Sequence, residues 1–391
     1  MSVRCTIRIP AAVVLAVTTL LSTPWGSTSD ACPICPAAGK TFSEEIASVD
    51  VAVIARPRPG MQDDTDEFGL TRTTFEIVEI IKGAKHLAGR RTVESAAPAD
   101  AKDGAEQFLL TAVGPEELLW SSPLPMSPRA IAYLKAALQL PETGAKRLDF
   151  FQQYFEDEDP RLAADACDEF SRLPYAEIRG HGPNMNHDRL IELIQSEGVS
   201  DGHRRLYFTM LSACGRPADV PLLEGFLRGD DEKRRRGLDA LIVCYLMLRG
   251  DEGMPLVEKR FLENEQVDYA ETYAAIMAYR FLGGDPAARE QTQISRSRLL
   301  EGLRPILARP DLADLVIPDF ASWEDWSVME QLVELFKTAD PKTTWVRVPV
   351  VNYLRQCPLP KADRLLAELE KLDPDSIRRA KTYFPEVKQA G

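Results

Sequence analysis

The chain has 391 residues, of which 45% are hydrophobic and 27% are charged, as in an ordinary globular protein. Its formal net charge is −13. This acidic balance argues against a nucleic-acid partner and against docking on anionic lipid, because both need a surplus of Lys and Arg on one face. At this length the chain can form two domains with separate cores.

The beginning of the chain has the pattern of a secretory signal peptide. Arg4 and Arg8 provide a positive start, and the uncharged, mostly apolar run that follows is too short to span a bilayer. Small residues come next, so cleavage is expected after Ser29 or after Ala31. We therefore predict a signal peptide over residues 1–31, export to the periplasm or the extracellular space, and no integral membrane segment in the mature chain.

Residues 32–122 are predicted to form a small all-β domain. A short helix with a capping box at Thr41 and Glu44 is expected to come first. Short runs of apolar and β-branched residues, separated by loops rich in Gly, Asp and Pro, then indicate four or five strands. Such strands suit a small closed barrel, which removes exposed sheet edges. The strand candidates cover residues 49–55, 71–81, 92–94 and 108–113.

A regular spacing of glycines indicates the architecture of the remaining chain. Cys214-Gly215, Arg249-Gly250 and Gly283-Gly284 each end an apolar helical run, and the intervals from Gly215 to Gly250 to Gly284 are 35 and 34 residues. Helix–turn–helix units at such a period are typical of an α-solenoid, in which each unit buries its apolar face against its neighbours. Residues 127–391 are therefore predicted to form an all-α helical-hairpin array.

Helix-start signals support this prediction. A Ser or Asp that can cap a helix repeatedly precedes a Pro, whose missing N–H costs nothing in the first helical turn. From these signals and the apolar stripes we count roughly twelve helices after residue 127, and no strand after Ser121. The start signals are Ser127-Pro128, Asp159-Pro160, Asp285-Pro286, Asp340-Pro341 and Asp373-Pro374.

The β-region carries a residue pattern that is shared with a family of secreted domains. The pattern runs from Cys32 and Cys35 through Phe42 and Asp50-Val51 to Phe75-Glu76-Ile77 and Lys82-Gly83. On these residues the region resembles netrin-like or TIMP-like OB-fold domains. In the metalloprotease inhibitors of that family, the amine and carbonyl of a mature N-terminal cysteine chelate the protease zinc. The resemblance therefore implies a TIMP-like inhibitor that acts through Cys32 if cleavage follows Ala31.

The helical region resembles HEAT-like repeats. The whole chain also resembles a family of exported bacterial proteins in which a cysteine-containing start and a small β-domain precede segments like residues 160–170 and 311–326. That family has no assigned activity, so the resemblance implies an architecture and no mechanism. The predicted fold class is thus multidomain: a small OB-like barrel followed by a HEAT-like array.

Few residues carry a chemical signal. Because disulfides persist outside the cytosol, Cys32 and Cys35 are predicted to form a disulfide, which is either structural or redox-active. Trp323 and Trp326 lie one helical turn apart, and such a pair forms either a binding hot spot or an inter-helix core. The segment 180–188, which contains two of the four histidines, is predicted to be a polar surface loop.

No catalytic, cofactor-binding or metal-binding motif is recognised in the sequence. The expected function is therefore that of an exported, non-catalytic binding or scaffold protein that recognises a protein or peptide partner through its helical array. The alternative is the metalloprotease inhibitor that acts through Cys32. Neither function requires a bound cofactor.

Overall fold

The structure is a computed structural model, and the described residues belong to one compact unit. The predicted signal peptide lies outside the described residues. The described ranges are 39–58, 64–65, 71–95, 107–114, 117–229, 236–340 and 344–383. Within them, helix α1 (Phe42–Ser48) is followed by seven strands: β1 (Val51–Pro57), β2 (Asp64–Thr65), β3 (Thr71–Lys82), β4 (Thr92–Ser95), β5 (Gln107–Val113), β6 (Leu119–Trp120) and β7 (Leu124–Met126).

The described part of the chain after the sheet contains seventeen α-helices. They are α2 (Pro128–Ala137), α3 (Ala145–Phe151), α4 (Pro160–Ser171), α5 (Tyr175–His181), α6 (His187–Gln195), α7 (Asp201–Cys214), α8 (Val220–Arg228), α9 (Leu238–Arg249), α10 (Met254–Val257), α11 (Tyr269–Gly284), α12 (Pro286–Thr292), α13 (Arg296–Leu303), α14 (Ala313–Ser322), α15 (Met329–Thr338), α16 (Arg347–Gln356), α17 (Pro360–Leu372) and α18 (Pro374–Tyr383).

The strands form an antiparallel sheet in the order β2-β3-β1-β5-β6, with β4 paired to β3 and β7 paired to β5. The Ser95 hydroxyl of β4 donates a hydrogen bond of 3.3 Å to the carbonyl of Ser121, which lies between β6 and β7. This contact brings the two ends of the sheet together, so the sheet is a nearly closed barrel. The predicted small β-barrel is thereby confirmed.

The sheet extends further along the chain than the sequence pattern indicated. We predicted no strand after Ser121, but β7 pairs with β5 and places Pro125 opposite Phe108. Proline is tolerated in an edge strand because its nitrogen, which cannot donate, need not face a neighbouring strand. The two prolines near residue 124 therefore weakened the strand signal in the sequence, although the segment forms an edge strand of the sheet.

Strand β1 is buried on both faces, because successive side chains of a strand point to opposite sides. Val51 and Val53 lie in the interior of the barrel. Ala52 and Ile54 face the other way and belong to the same apolar core as Tyr133 of α2. The core of the helices therefore continues onto the outside of the sheet.

The helices form the predicted helical-hairpin array. Helices α5, α7, α9 and α11 pack side by side in that order, and α14, α16 and α18 continue the row beyond α13. A second set packs against this row, with α6 on α7, α8 on α9, and α15 and α17 on α16. The expected number of roughly twelve helices was too low, because short helices such as α5 and α6 follow one another almost directly.

The described helix ends agree with the sequence signals. Thr41 and Glu44 form the predicted capping box, with hydrogen bonds of 3.2 and 3.1 Å in the two directions. Helices α7, α9 and α11 end at the glycines that defined the repeat. Four of the predicted caps accept a hydrogen bond from a backbone N–H of the first turn: Ser127, Asp159, Asp285 and Asp373. The fifth signal includes Pro341, which lies outside the described residues.

The beginning of the described chain is attached to helix α4. A buried carboxylate, Asp165, accepts hydrogen bonds from the backbone N–H of Phe42 at 2.7 Å and from the hydroxyl of Tyr133 at 2.6 Å. Arg172, one residue beyond α4, binds Glu44 at 2.8 Å. Polar contacts as well as the shared apolar core therefore join α1 to the array.

Candidate functional site

A groove of about 810 Å³ opens beside the C-terminal ends of α8 and α9. The third side is formed by the chain from residue 252 to residue 264, which includes α10. We call this space the α8–α10 groove. Its lining residues are Glu224, Arg228, Tyr245, Arg249, Glu252, Pro255, Leu256, Lys259, Arg260 and Asn264.

Two of the lining arginines occupy equivalent places in a duplicated sequence. Helices α8 and α9 both end in Leu-Arg, and Gly-Asp follows each of them in the sequence. The arginine, Arg228 or Arg249, lies in the last helical turn, where a cation interacts favourably with the free carbonyl groups. The glycine then ends the helix. This duplicated tetrapeptide is the signal that could have located the groove from the sequence.

The third side of the groove contains a π-helical turn, Glu258–Leu262. The N–H of Glu263 donates to the carbonyl of Glu258, five residues earlier, at 2.8 Å. In this turn Glu258 faces α13 and binds Arg298 at 2.5 and 3.0 Å, while Lys259 and the residue after it line the groove. Single π-helical turns are rare and occur frequently at functional sites.

Arg249 and Arg228 each lie close to a carboxylate of the described lining. Arg249 pairs with Glu252 at 3.0 Å, and Arg228 approaches Glu224 at 3.6 Å. The buried hydroxyl of Tyr245 also donates to Glu224, at 2.9 Å. Burial, together with the adjacent Glu224, raises the pKa of Tyr245 to about 12, so the phenol stays protonated and remains a donor.

Lys259 and Arg260 also line the groove. Lys259 is exposed and has no ion-pair partner among the described residues. Arg260 is half-buried and donates to the carbonyl of Gly229 at 3.1 Å.

Another side of α9 is covered by helix α12, which contacts α5, α9 and α11. The amide of Gln291 donates to the carbonyl of Ser212 at 2.6 Å, and its oxygen accepts from Tyr175 at 2.9 Å. Arg179 and Glu290 add an ion pair of 2.7 Å. Together with α7, α8 and α11, helix α12 buries residues 238–247 of α9, which reaches solvent at its last turn, beside the groove.

Trp323 and Trp326 follow the C-terminal end of α14, and both are half-buried. The ring of Trp323 packs on Gly283 and lies 5.7 Å from the guanidinium carbon of Arg296. Trp326 packs edge-on against Tyr353, with 5.1 Å between the ring centroids. Both rings thus contact neighbouring helices, and neither of them lines the α8–α10 groove.

The disulfide candidates Cys32 and Cys35 lie outside the described residues. The described cysteines are all free thiols: Cys167, Cys214, Cys244 and Cys357. Burial raises the pKa of the thiols of Cys167, Cys214 and Cys244, which suppresses their reactivity.

The prediction of a polar surface loop around the two central histidines was wrong. His181 ends α5, is 2% exposed, and lies 3.6 Å from Asp149. Burial lowers the pKa of His181. His187 begins α6 and hydrogen-bonds Asp219 at 2.8 Å. In the described part of the chain, no group of three His, Cys, Asp or Glu side chains converges on a common metal position.

Comparison of the chain with known protein families, with curated proteins and with solved structures found no match. Function must therefore be inferred from the geometry of the chain itself. Across the described ranges, no helix combines the length and the apolar character needed to cross a membrane.

Proposed function

We propose that the protein is an exported, non-catalytic binding protein that recognises a protein or peptide partner through its helical array. The α8–α10 groove is the observation that carries this proposal. The groove joins two neighbouring hairpins of the array, and the side chains of Arg228, Arg249 and Lys259 in its lining are exposed to solvent. Repeat arrays use such inter-hairpin surfaces for recognition, because rigid neighbours keep the side chains of the surface in register.

The proposal includes the finer assignments of fold and compartment. The nearly closed antiparallel sheet supports an OB-fold of the netrin-like type, and the stacked hairpins support HEAT-like repeats. The positive start and apolar run of residues 1–31 support export. Amino-terminal sequencing of the protein from its native envelope fraction should give a chain that begins at Asp30 or at Cys32. A chain that still begins at Met1 would contradict export.

Site-specific photo-crosslinking tests recognition through the groove. A photoreactive amino acid is placed at Asn264, which lines the groove, and separately at Glu368 on α17 as a control of similar exposure. A defined partner should be crosslinked at position 264 only. The identified partner, once purified, should then bind the full mature chain in a fixed ratio. Equal crosslinking at both positions, or none at position 264, would contradict the proposal.

A further inference from the structure

We propose that His187 forms a pH-sensitive joint, in which its doubly protonated ring holds the start of helix α6 against the turn that leads into α8. This turn is Pro217–Asp219, and α8 begins at the next residue. Nδ1 of the ring lies 2.9 Å from Oδ1 of Asp188, and Nε2 lies 2.8 Å from Oδ2 of Asp219. The joint is at the start of α8, whereas the α8–α10 groove lies beside its C-terminal end, so this inference does not depend on the proposed function.

The two contacts of the ring determine its protonation state. An ionised carboxylate can only accept hydrogen bonds, so each ring nitrogen must donate one. A neutral imidazole carries a single N–H and can satisfy only one of the two contacts. The arrangement around His187 is therefore complete only for the imidazolium form. Loss of one proton removes one hydrogen bond together with the positive charge.

The carboxylates beside the ring favour the charged form. Burial lowers the pKa of His187, but the hydrogen bonds with Asp219 and Asp188 outweigh burial and raise the pKa above its ordinary value of 6.5. Asp219 is buried, and its Oδ2 also accepts the backbone N–H of Arg216 at 2.7 Å, which keeps this carboxylate facing the ring. Asp188 is exposed, so water and salt screen its part of the joint.

Two further groups of the described chain face this joint. The guanidinium of Arg216 lies 3.9 Å from Asp188 and acts against the positive charge of the ring, because like charges repel. The thiol of Cys214, at the end of α7, interacts electrostatically with Asp219, but burial raises the pKa of this thiol to about 11. Cys214 therefore stays protonated near neutral pH and does not take part in the titration of His187.

The other end of α6 is held by a group that does not titrate. Arg204 of α7 donates hydrogen bonds to the carbonyl of Ile194 and, at 2.6 Å, to that of Ser196. A guanidinium keeps its proton in proteins. Between the two ends, α6 buries the side chains of Leu190 and Ile194. Deprotonation of His187 should therefore loosen the first turn of α6 while the last turn stays attached to α7.

The sign of the pH effect follows from the raised pKa of His187. A group that holds its proton more tightly in the folded chain than in the unfolded chain stabilises the fold while it is protonated. The contribution of His187 is complete below about pH 6.5 and is lost as pH rises through its folded-state pKa. The free energy of local opening of α6 should therefore fall as the solution becomes alkaline.

Hydrogen exchange of the full chain between pH 6 and pH 9, corrected for the intrinsic pH dependence of exchange, tests this joint. The peptide over residues 187–195 should lose protection by at least about tenfold, because a hydrogen bond to a charged group contributes more than a neutral one. Peptides of α16, which packs elsewhere in the array, should keep their protection. Constant protection of α6, or an equal loss in α16, would overturn the proposal.

A substitution and a direct titration assign the effect to His187. In the variant His187→Gln the protection of α6 should no longer change over this pH range, because the new side chain does not titrate. The control His86→Gln, in the turn after β3, should leave the pH dependence of α6 unchanged. Nitrogen NMR of the unmodified chain should show a proton on both ring nitrogens of His187 at pH 6. A single N–H at pH 6, or a pH dependence that persists in His187→Gln, would refute the joint.

Discussion

Gly283, near the end of α11, leaves space for the indole ring of Trp323. A Cβ atom at this position would lie 2.5 Å from Cζ2 of Trp323 and 3.1 Å from Cδ1 of Leu299. At the next residue, Gly284, the equivalent Cβ atom would have no atom within 4 Å apart from its chain neighbours and the backbone of its own helix. The two consecutive glycines at the end of α11 therefore differ in their packing: Gly283 lies against the ring of Trp323, whereas the space beside Gly284 is open.

We expect Gly283→Ala to destabilise the protein by about 1–3 kcal/mol, because a methyl group forced against the ring must displace Trp323 or the helix. Gly284→Ala adds the same methyl group in open space and should be neutral or stabilise by up to about 1 kcal/mol. Urea unfolding of both variants and the unmodified chain measures the difference. Similar effects of the two substitutions would show that Trp323 does not pack on α11.

Asp165 should make stability depend on pH. Burial raises the pKa of Asp165 to about 6, although hydrogen bonds from Tyr133 and Phe42 oppose the shift. The folded chain therefore holds this proton at pH values where the unfolded chain, with an ordinary pKa of 3.8, has lost it. The contribution of this group to stability falls as pH rises from about 4 to about 6, by about 3 kcal/mol in total.

The substitution Asp165→Asn removes this titration and keeps an acceptor for the N–H of Phe42. The free energy of unfolding of the variant, relative to the unmodified chain, should rise by about 3 kcal/mol between pH 4 and pH 7. Asp363→Asn, at an exposed position on α17, provides the control. A difference that stays constant with pH would show that folding does not raise the pKa of Asp165.

At the scale of elements, α12 is held across its neighbours by Gln291. Replacing Gln291 by Ala leaves the carbonyl of Ser212 and the hydroxyl of Tyr175 without this partner, which we expect to cost about 1–3 kcal/mol. Arg289→Ala, at an exposed position on the same helix, should change stability by less than about 0.5 kcal/mol. Urea unfolding and amide hydrogen exchange of α12 measure both effects. Equal protection in the two variants would argue against this anchoring.

The sequence predicted best those elements that depend on local interactions. The capping box at Thr41 and the helix ends at Gly215 and Gly250 were predictable, because a cap or a terminating glycine acts within one helical turn. Strand β1 was predictable for a similar reason, since its apolar residues continue without a break. These signals were enough to predict the barrel and the array.

Contacts between distant segments could not be predicted in the same way. The polar residues around His181 predict a loop, yet its ring is buried beside Phe170 of α4 and Asp149 of α3, which are distant in the sequence. The α8–α10 groove joins three separate stretches of chain, and only the repeated arginines at 228 and 249 mark it in the sequence. The spacing of Trp323 and Trp326 predicts either an inter-helix core or a binding surface, because aromatic residues one helical turn apart occur in both.

At the scale of the whole molecule, the sheet and the array share one apolar core. Ile54 of β1 is 1% exposed and belongs to the same cluster as Tyr133 and the helices beyond it. Asp165 and Arg172 add polar contacts between α4 and the segment that precedes β1. The interior of the barrel has its own apolar cluster, but the other face of β1 is buried in the cluster that it shares with the helices.

We therefore expect the sheet and the array to unfold together. Ile54→Ala should lower the free energy of unfolding by about 2–5 kcal/mol and shift the midpoints of sheet and helix peptides equally, as measured by hydrogen exchange at increasing urea concentration. Val78→Ala, in the same sheet but 48% exposed, provides the control and should shift neither midpoint appreciably. If the sheet peptides lost protection at lower urea while the helix peptides kept their midpoint, the shared core would not couple the two regions. The barrel would then be an independent folding unit, which the burial of Ala52 and Ile54 against helices argues against.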